Sequence, residues 1–535
     1  MNRDNKGMNI PENLYWDGCK EPQPFDQEGF SSMLRDTARP VSLLQNDEKI
    51  WMTDELAFST TQGEWKVLSF TLPFSADSFG DPAFRKTYRL RYPLYGGAMA
   101  NGISSVEFVI ALGQAGFMGS FGAGGLLPRQ IESAIHQIQA SLVGKPYAFN
   151  LINNPFEPAL EEQTIELYLK HGIRLIEASA YLTITRNLAL YRVSGLSQNP
   201  DGSIEISNRL IAKVSRKEVA LKFLEPAPEE ILSQLKSEGR ITEEQVRLAH
   251  QAPMADDITV EADSGGHTDN RPLVNVLPAI IRLRDMNQAK RRYAEPVRIG
   301  AAGGIATPES ALAAFVMGAA YIVTGSVNQA CVESGASMHA KKLLAQMEMT
   351  DVAMAPAGDM FEMGVRVQVL KRGTMFAMRA QKLYEIYSRY ESIEEIPSQD
   401  REKLETSVFK MTLDAVWEEC KKFFSERDPK QVERAEQSPK VKMALVFRWY
   451  LGLSSRWANV GEPGREMDYQ IWCGPSMGAF NDWVRGAYLE DPQNRKIVDV
   501  SLQILQGAAY LYRLNMLEAS GIRFNHNIRQ FIPTR

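Results

Sequence analysis

Cysteine and histidine are scarce in this chain, and neither is clustered along it. The four cysteines (Cys19, Cys331, Cys420, Cys473) form no CxxC pair, and the six histidines form no HxxxH or HExxH spacing. No metal site is therefore expected, a disulfide framework is excluded, and a reducing cytoplasm is the default compartment. Excess charge is missing too. A net charge of −5 and a pI near 5.9 give no electrostatic footprint for nucleic acid. The opening residues MNRDNKGMNIPENLYW hold no apolar run, so no secretory signal is expected. An uncharged stretch from Ala311 to Val332 has the length of a membrane span. It contains Gly318, Thr324, Gly325, Ser326, Asn328 and Gln329, and reads instead as a buried helix, a buried strand and a polar turn.

What is present is the texture of a globular protein, 44% hydrophobic and 23% charged over 535 residues. Residues 1–90 are rich in aromatics and prolines with little periodicity, and predict a small irregular N-terminal cap. Two strand-like runs stand out there, Ile50–Met52 and Trp65–Leu72. From 91 to 330, short apolar runs ending in glycine or a small polar residue alternate with amphipathic stretches, as βα units do. Eight runs suit the strand role: Pro93–Gly97, Phe117–Phe121, Tyr147–Leu151, Arg174–Ala178, Leu210–Val214, Asp257–Ala262, Val297–Ala301 and Tyr321–Thr324. Helix starts fall between them, with Pro128 and Pro308 at first-turn positions and Thr242 with Gln245 spaced as a capping box. Eight strands over this span match an α/β fold of (β/α)8 barrel type, typically ~250 residues. An open doubly wound sheet would need a GxGxxG after the first strand, and Gly96-Gly97-Ala98-Met99 does not supply it. Residues 331–535 read as mostly helical, with a long helix over Phe361–Tyr390 interrupted at Gly373. The 22 charged residues of 391–440 fit a solvated helical face or a linker.

Three constellations carry chemistry. In 297–326, the seventh strand ends at Gly303-Gly304 and the eighth at Gly325-Ser326. Loops after these two barrel strands commonly hold phosphate, because bare glycine N–H groups converge on an anion; tight βα turns are the alternative. In 261–270, EADSGGHTDN puts His267 at the end of strand six, on the catalytic face, as a candidate acid or base, after Gly265 and Gly266, which would let a planar cofactor approach the backbone. The first-strand loop, with Gly97, Ala98 and Met99, leaves room for a flat ring or simply makes a tight turn. Asn150, Glu177 and Lys213 end strands three, four and five, and charged strand ends of this kind face the mouth. Lys213 suits the electron-rich edge of a reduced ring.

In this order GGAMANGIS, AFNLINNP, DSGGHTDN, AAGGI and TGSVNQ resemble the FMN-dependent nitronate monooxygenase and enoyl-reductase barrel superfamily. APAGDMFEMGVRVQVLKRGTMFAMRAQKLYEIY and YQIWCGPSMGAFNDWVRGAYLED resemble the trans-acting PfaD-type enoyl reductases of polyunsaturated fatty acid and trans-acyltransferase polyketide synthases. The resemblance runs from about residue 90 to 535. It implies FMN as cofactor, with Gly303, Gly304, Gly325 and Ser326 at its phosphate, Ala98 and Met99 beside the ring, and Asn150 and Lys213 as polar contacts. It implies His267 as the active-site histidine. One departure stands out: the family's usual ESGGH followed by glycine is here Asp263 in the acid position and Thr268-Asp269 after the histidine. The implied activity is reduction of a trans-2-enoyl thioester on an acyl carrier protein, with NADPH or NADH as hydride donor, by a homodimer. A nitronate monooxygenase and a non-catalytic synthase subunit are the alternatives; an inosine-phosphate-type dehydrogenase lacks its cysteine after strand six. Seven methionines between Met347 and Met378 fit an acyl-channel wall or ordinary core. Lys371, Arg372, Arg379 and Lys382 fit carrier docking or a solvated helix face.

Overall fold

A computed structural model describes residues 14–153, 158–265, 267 and 269–535. The chain divides into two compact units, one of residues up to Phe79 with Thr307–Ala313 and Val500–Arg535, the other of Gly80–Ala306 and Ala314–Asp499.

The first unit carries a six-stranded antiparallel sheet where an irregular cap was expected. Its strands run from two residues (Tyr15–Trp16) to seven (Trp65–Thr71), and three of the six have only two residues, too short to display a period of two in sequence. Trp51 and Trp65 pack edge to face at 4.7 Å across it. A helix, Gln27–Arg35, starts on Asp26, whose carboxylate accepts from Gly29 N–H at 2.7 Å. At its far end the buried Arg513 guanidinium donates to the Leu34 and Asp36 carbonyls at 2.6 and 3.0 Å. A cation at a helix C-terminus meets the carbonyls that have no intrahelical partner.

The second unit holds a closed eight-stranded parallel barrel. All eight expected strands form, within about two residues of their expected ends: Leu94–Gly96, Met118–Phe121, Ala148–Ile152, Leu175–Ser179, Arg209–Val214, Asp257–Glu261, Arg298–Ala302 and Ile322–Thr324. The capping box at Thr242 forms as spaced, with Gln245 N–H donating to Oγ1 at 3.1 Å and Thr242 N–H to Oε1 at 3.0 Å. Among the described residues no helix is long and apolar enough to cross a membrane.

Residues beyond 330 are mostly helical, with one correction. The stretch expected as a helix from Phe361 is a 3-10 turn, then a strand, Arg366–Leu370, paired antiparallel with Val352–Pro356. Helix begins only at Phe376 and runs to Arg389. VRVQV alternates β-branched and polar residues with period two, which suits a pleated strand. Gly373, at φ +72°, makes the turn between strand and helix. The charged stretch folds into helices with one apolar stripe: Leu413, Val416, Cys420 and Phe424 are buried in a core shared with Phe447 and Tyr450.

Candidate active site

The C-terminal ends of the barrel strands bring three ionisable groups together. Lys213 Nζ lies 3.0 Å from Glu261 Oε1 and 3.6 Å from Glu177 Oε1. Strands four, five and six are neighbours in register, so alternate residues on their inner faces meet. Burial alone would depress the Lys213 ammonium; the Glu261 and Glu177 carboxylates outweigh it and raise it. Burial pushes the Glu177 carboxyl up, against the Lys213 charge and the Ala98 N–H that lower it. Glu177 Oε2 accepts from Ala98 N–H at 3.2 Å, while Oε1 is buried without a hydrogen-bond partner. Asn150 donates to the Glu177 carbonyl at 3.0 Å and to Ser179 Oγ at 3.1 Å. Lys213, Glu177 and Asn150 thus sit side by side, as their strand-end positions predict.

His267 stands on the loop after strand six. Its Nε2 is 3.0 Å from Asp359 Oδ1, and both side chains are about one-quarter exposed. Burial would depress the imidazolium; Asp359 outweighs it and raises its pKa above the ordinary value. The departing residues of this loop are anchors. Asp263 accepts from Gln368 of the added hairpin, and Asp269 accepts from Arg216 Nη2 at 2.6 Å and Ser215 Oγ at 3.0 Å. Gly266 and Thr268 lie outside the described residues. At Gly265 the close neighbour is protein: a Cβ there would meet Cys473 N at 2.7 Å.

The glycines of strands seven and eight differ in what surrounds them. Gly303 has φ +81°, and a Cβ would lie 2.7 Å from the Ala262 carbonyl carbon, so strand six passes too close for a side chain. Gly304, at φ +73°, and Gly325 have nothing within 4 Å of their Cβ positions. Ser326 Oγ accepts from Gly474 N–H at 3.0 Å, leaving its own proton for an acceptor. Open space over two glycines and a spare hydroxyl donor fits an anionic head group such as the phosphate of FMN. Gly97, Ala98 and Met99 hold the adjoining loop: Gly97 N–H donates to the Thr324 carbonyl at 3.0 Å and Met99 N–H to Ser104 Oγ at 2.9 Å.

Sequence reasoning passed over Glu261 and Asp359. Glu261 is a charged residue at a strand's C-terminal end, the same signal that singled out Lys213. Asp359 lies 92 residues beyond His267, where only the fold joins them. Outside the mouth, Glu132, His136 and His171 place potential ligand atoms within 4.8 Å of one another, although Glu132 Oε1 is already shared with Lys170 Nζ at 2.9 Å. Burial pushes the Cys331 and Cys473 thiols up, which makes both poor nucleophiles.

Residues 82–384 match the nitronate monooxygenase family, and residues 390–469 match the inserted helical domain of [acyl-carrier-protein] S-malonyltransferase. The solved enoyl reductase domain of MlnA, from the macrolactin biosynthesis cluster of Bacillus amyloliquefaciens, is 41% identical with a TM-score of 0.78. That match covers 82% of this chain and 99% of that one. A polyunsaturated fatty acid synthase subunit of Thraustochytrium sp. is 50% identical over 93% of this chain, which spans 34% of that protein's length. Polyketide biosynthesis protein PksE of Bacillus subtilis is 46% identical over 83% of this chain and 57% of its own length.

Proposed function

The chain belongs to the nitronate monooxygenase family, within its PfaD-type enoyl-reductase branch, and on that premise we propose that it reduces a trans-2-enoyl thioester on an acyl carrier protein. NADPH or NADH is the hydride donor, and the product serves polyunsaturated fatty acid or polyketide synthesis. The observation that supports this reading most is the His267–Asp359 pair beside the half-buried Lys213 at the barrel mouth. Gly304, Gly325 and Ser326 would hold the FMN phosphate, with Ala98, Met99, Asn150 and Lys213 toward its ring. Bound there, FMN supplies two-electron hydride chemistry.

The protein's own groups supply the rest. Reduction breaks the C=C π bond, adds a hydride at the β-carbon and requires a proton at the α-carbon. Asp359 engages His267 Nε2, so the proton to be delivered is the one on Nδ1. Asp359 raises the His267 pKa, so His267 holds that proton to higher pH than an ordinary histidine does. Lys213, held by two carboxylates, provides a fixed positive charge where negative charge develops.

Anaerobic spectroscopy of the flavin-loaded protein tests the reading. NADPH should bleach the visible flavin absorbance, and a crotonyl thioester should restore it. Bleaching by a nitronate and not by NADPH, with reoxidation by oxygen and not by the thioester, would favour nitronate oxidation instead. Protein that takes up no FMN would favour a non-catalytic role.

A further inference from the structure

A groove of about 910 Å3 lies between the hairpin Val352–Pro356/Arg366–Leu370 and the helix Phe376–Arg389. Its volume falls within the ~300–1,000 Å3 of small-ligand sites. Four cations line it (Arg366, Lys371, Arg372, Lys382) against two acids, Asp351 and Glu385, in a chain of net charge −5. The cations are not equivalent. Arg372 pairs with Asp351 at 3.2 Å, and Arg366 donates to the Met354 carbonyl and to Gln381 at 2.9 Å each. Lys371 and Lys382 are exposed and make no salt bridge among the described residues, although the Lys371 charge helps lower the Asp351 carboxyl. Arg379, on the same helix, is not of this set: it pairs with the fully buried Asp468.

The apolar part of the lining comes from Met354, Met375 and Met378, long flexible side chains that adapt to an irregular ligand. Met354 joins the groove to the active site. Its sulfur accepts from Asn270 Nδ2 at 3.1 Å, three residues beyond His267 on the same loop. A polyanionic head at the lysines with an amphipathic tail running over the methionines toward His267 matches this polarity.

We propose that this groove binds the phosphopantetheine arm of the acyl carrier protein, with Lys371 and Lys382 meeting the arm's phosphate and the carrier's acidic face. The proposal rests on the enoyl-thioester reading above. The arm's amides and methyl groups lie along the methionines, and the thioester enters past Met354.

The test compares carrier-borne crotonyl thioester with crotonyl-N-acetylcysteamine, which lacks phosphate and carrier, on the FMN-loaded enzyme. Lys371→Glu combined with Lys382→Glu should raise KM for the carrier substrate at least tenfold, and should change kcat/KM for the small thioester less than twofold. Added salt should raise the wild-type KM for the carrier substrate only. Unchanged carrier KM in the double variant, or an equal loss on both substrates, overturns the groove assignment while leaving enoyl reduction intact. A wild type that reduces neither thioester, yet binds loaded carrier with a charge-reversal-sensitive affinity, keeps the groove and overturns the reduction. If it neither reduces nor binds, both fall.

Discussion

Two charge clusters occupy opposite ends of the same barrel, one buried and one partly exposed, and they differ in how fully they are satisfied. At the N-terminal end, Asp257 and Arg298 open strands six and seven. Arg298 grips Asp257 with Nε at 2.6 Å and Nη2 at 2.9 Å, Tyr88 donates to the same carboxylate, and Thr87 Oγ1 takes Arg298 Nη1 at 2.9 Å. At the C-terminal end, one lysine serves two carboxylates, and Glu177 Oε1 is left without a hydrogen bond. A buried carboxylate that accepts bidentate arginine and a phenol has little left to offer a ligand. An acid, an amide and an ammonium with spare capacity do, and that is what a (β/α)8 mouth supplies.

The comparison breaks most easily at the floor. Arg298→Met strands Asp257 in the core and should cost about 3–5 kcal/mol of stability, seen as a lower melting temperature, with activity per folded molecule unchanged. Lys213→Met should act the other way round. Turnover should fall about 10²-fold with the loss of a fixed charge at the reacting centre. The melting temperature should drop less than for Arg298→Met, because Lys213 and Glu261 are partly exposed and water can reach the charge left behind, whereas Asp257 and Arg298 are sealed in the core. Equal melting losses in the two variants would erase the distinction between floor and mouth.

A milder lesion sharpens the phosphate end of the mouth. Gly304→Ala places a methyl into open space at φ +73°, so the strain is that of left-handed backbone alone, about 1–2 kcal/mol. FMN content after purification should fall with it. An alanine variant that retains full flavin would remove Gly304 from the cradle.

The barrel was legible because each strand is a short buried run closed by glycine or a small polar residue, and fully buried parallel strands leave that mark. The strand-end residues Asn150, Glu177 and Lys213 were legible for the same reason. What lay hidden depends on distance along the chain. The hairpin Val352–Pro356/Arg366–Leu370 closes over the His267 loop through Gln368 and Met354, and its second strand sits inside a run of helix-forming residues. Asp359 is invisible until that hairpin is folded, because nothing local marks a lone aspartate in APAGDMF as a partner for histidine. The N-terminal sheet was half legible: the runs Ile50–Met52 and Trp65–Leu72 fall on the strands Lys49–Thr53 and Trp65–Thr71, whereas two-residue strands such as Tyr15–Trp16 carry no periodicity and their pairing is set by neighbours.

The smallest predicted effect is also the one that separates positioning from structure at the mouth. Asp359→Asn preserves shape and removes the charge that raises the His267 pKa. A general acid works only while protonated, so activity is lost as pH climbs through its pKa. Asp359 holds that pKa above the ordinary histidine value despite the opposing burial, which extends the active range upward. In Asp359→Asn burial acts unopposed by this carboxylate, and the alkaline limb of kcat/KM should move to lower pH. Below the limb the variant should retain most of its activity; above it, the loss should reach about tenfold. His267→Asn should abolish the limb altogether. A limb that stays in place in Asp359→Asn would show that the carboxylate merely packs against the ring, and that the proton comes from another group.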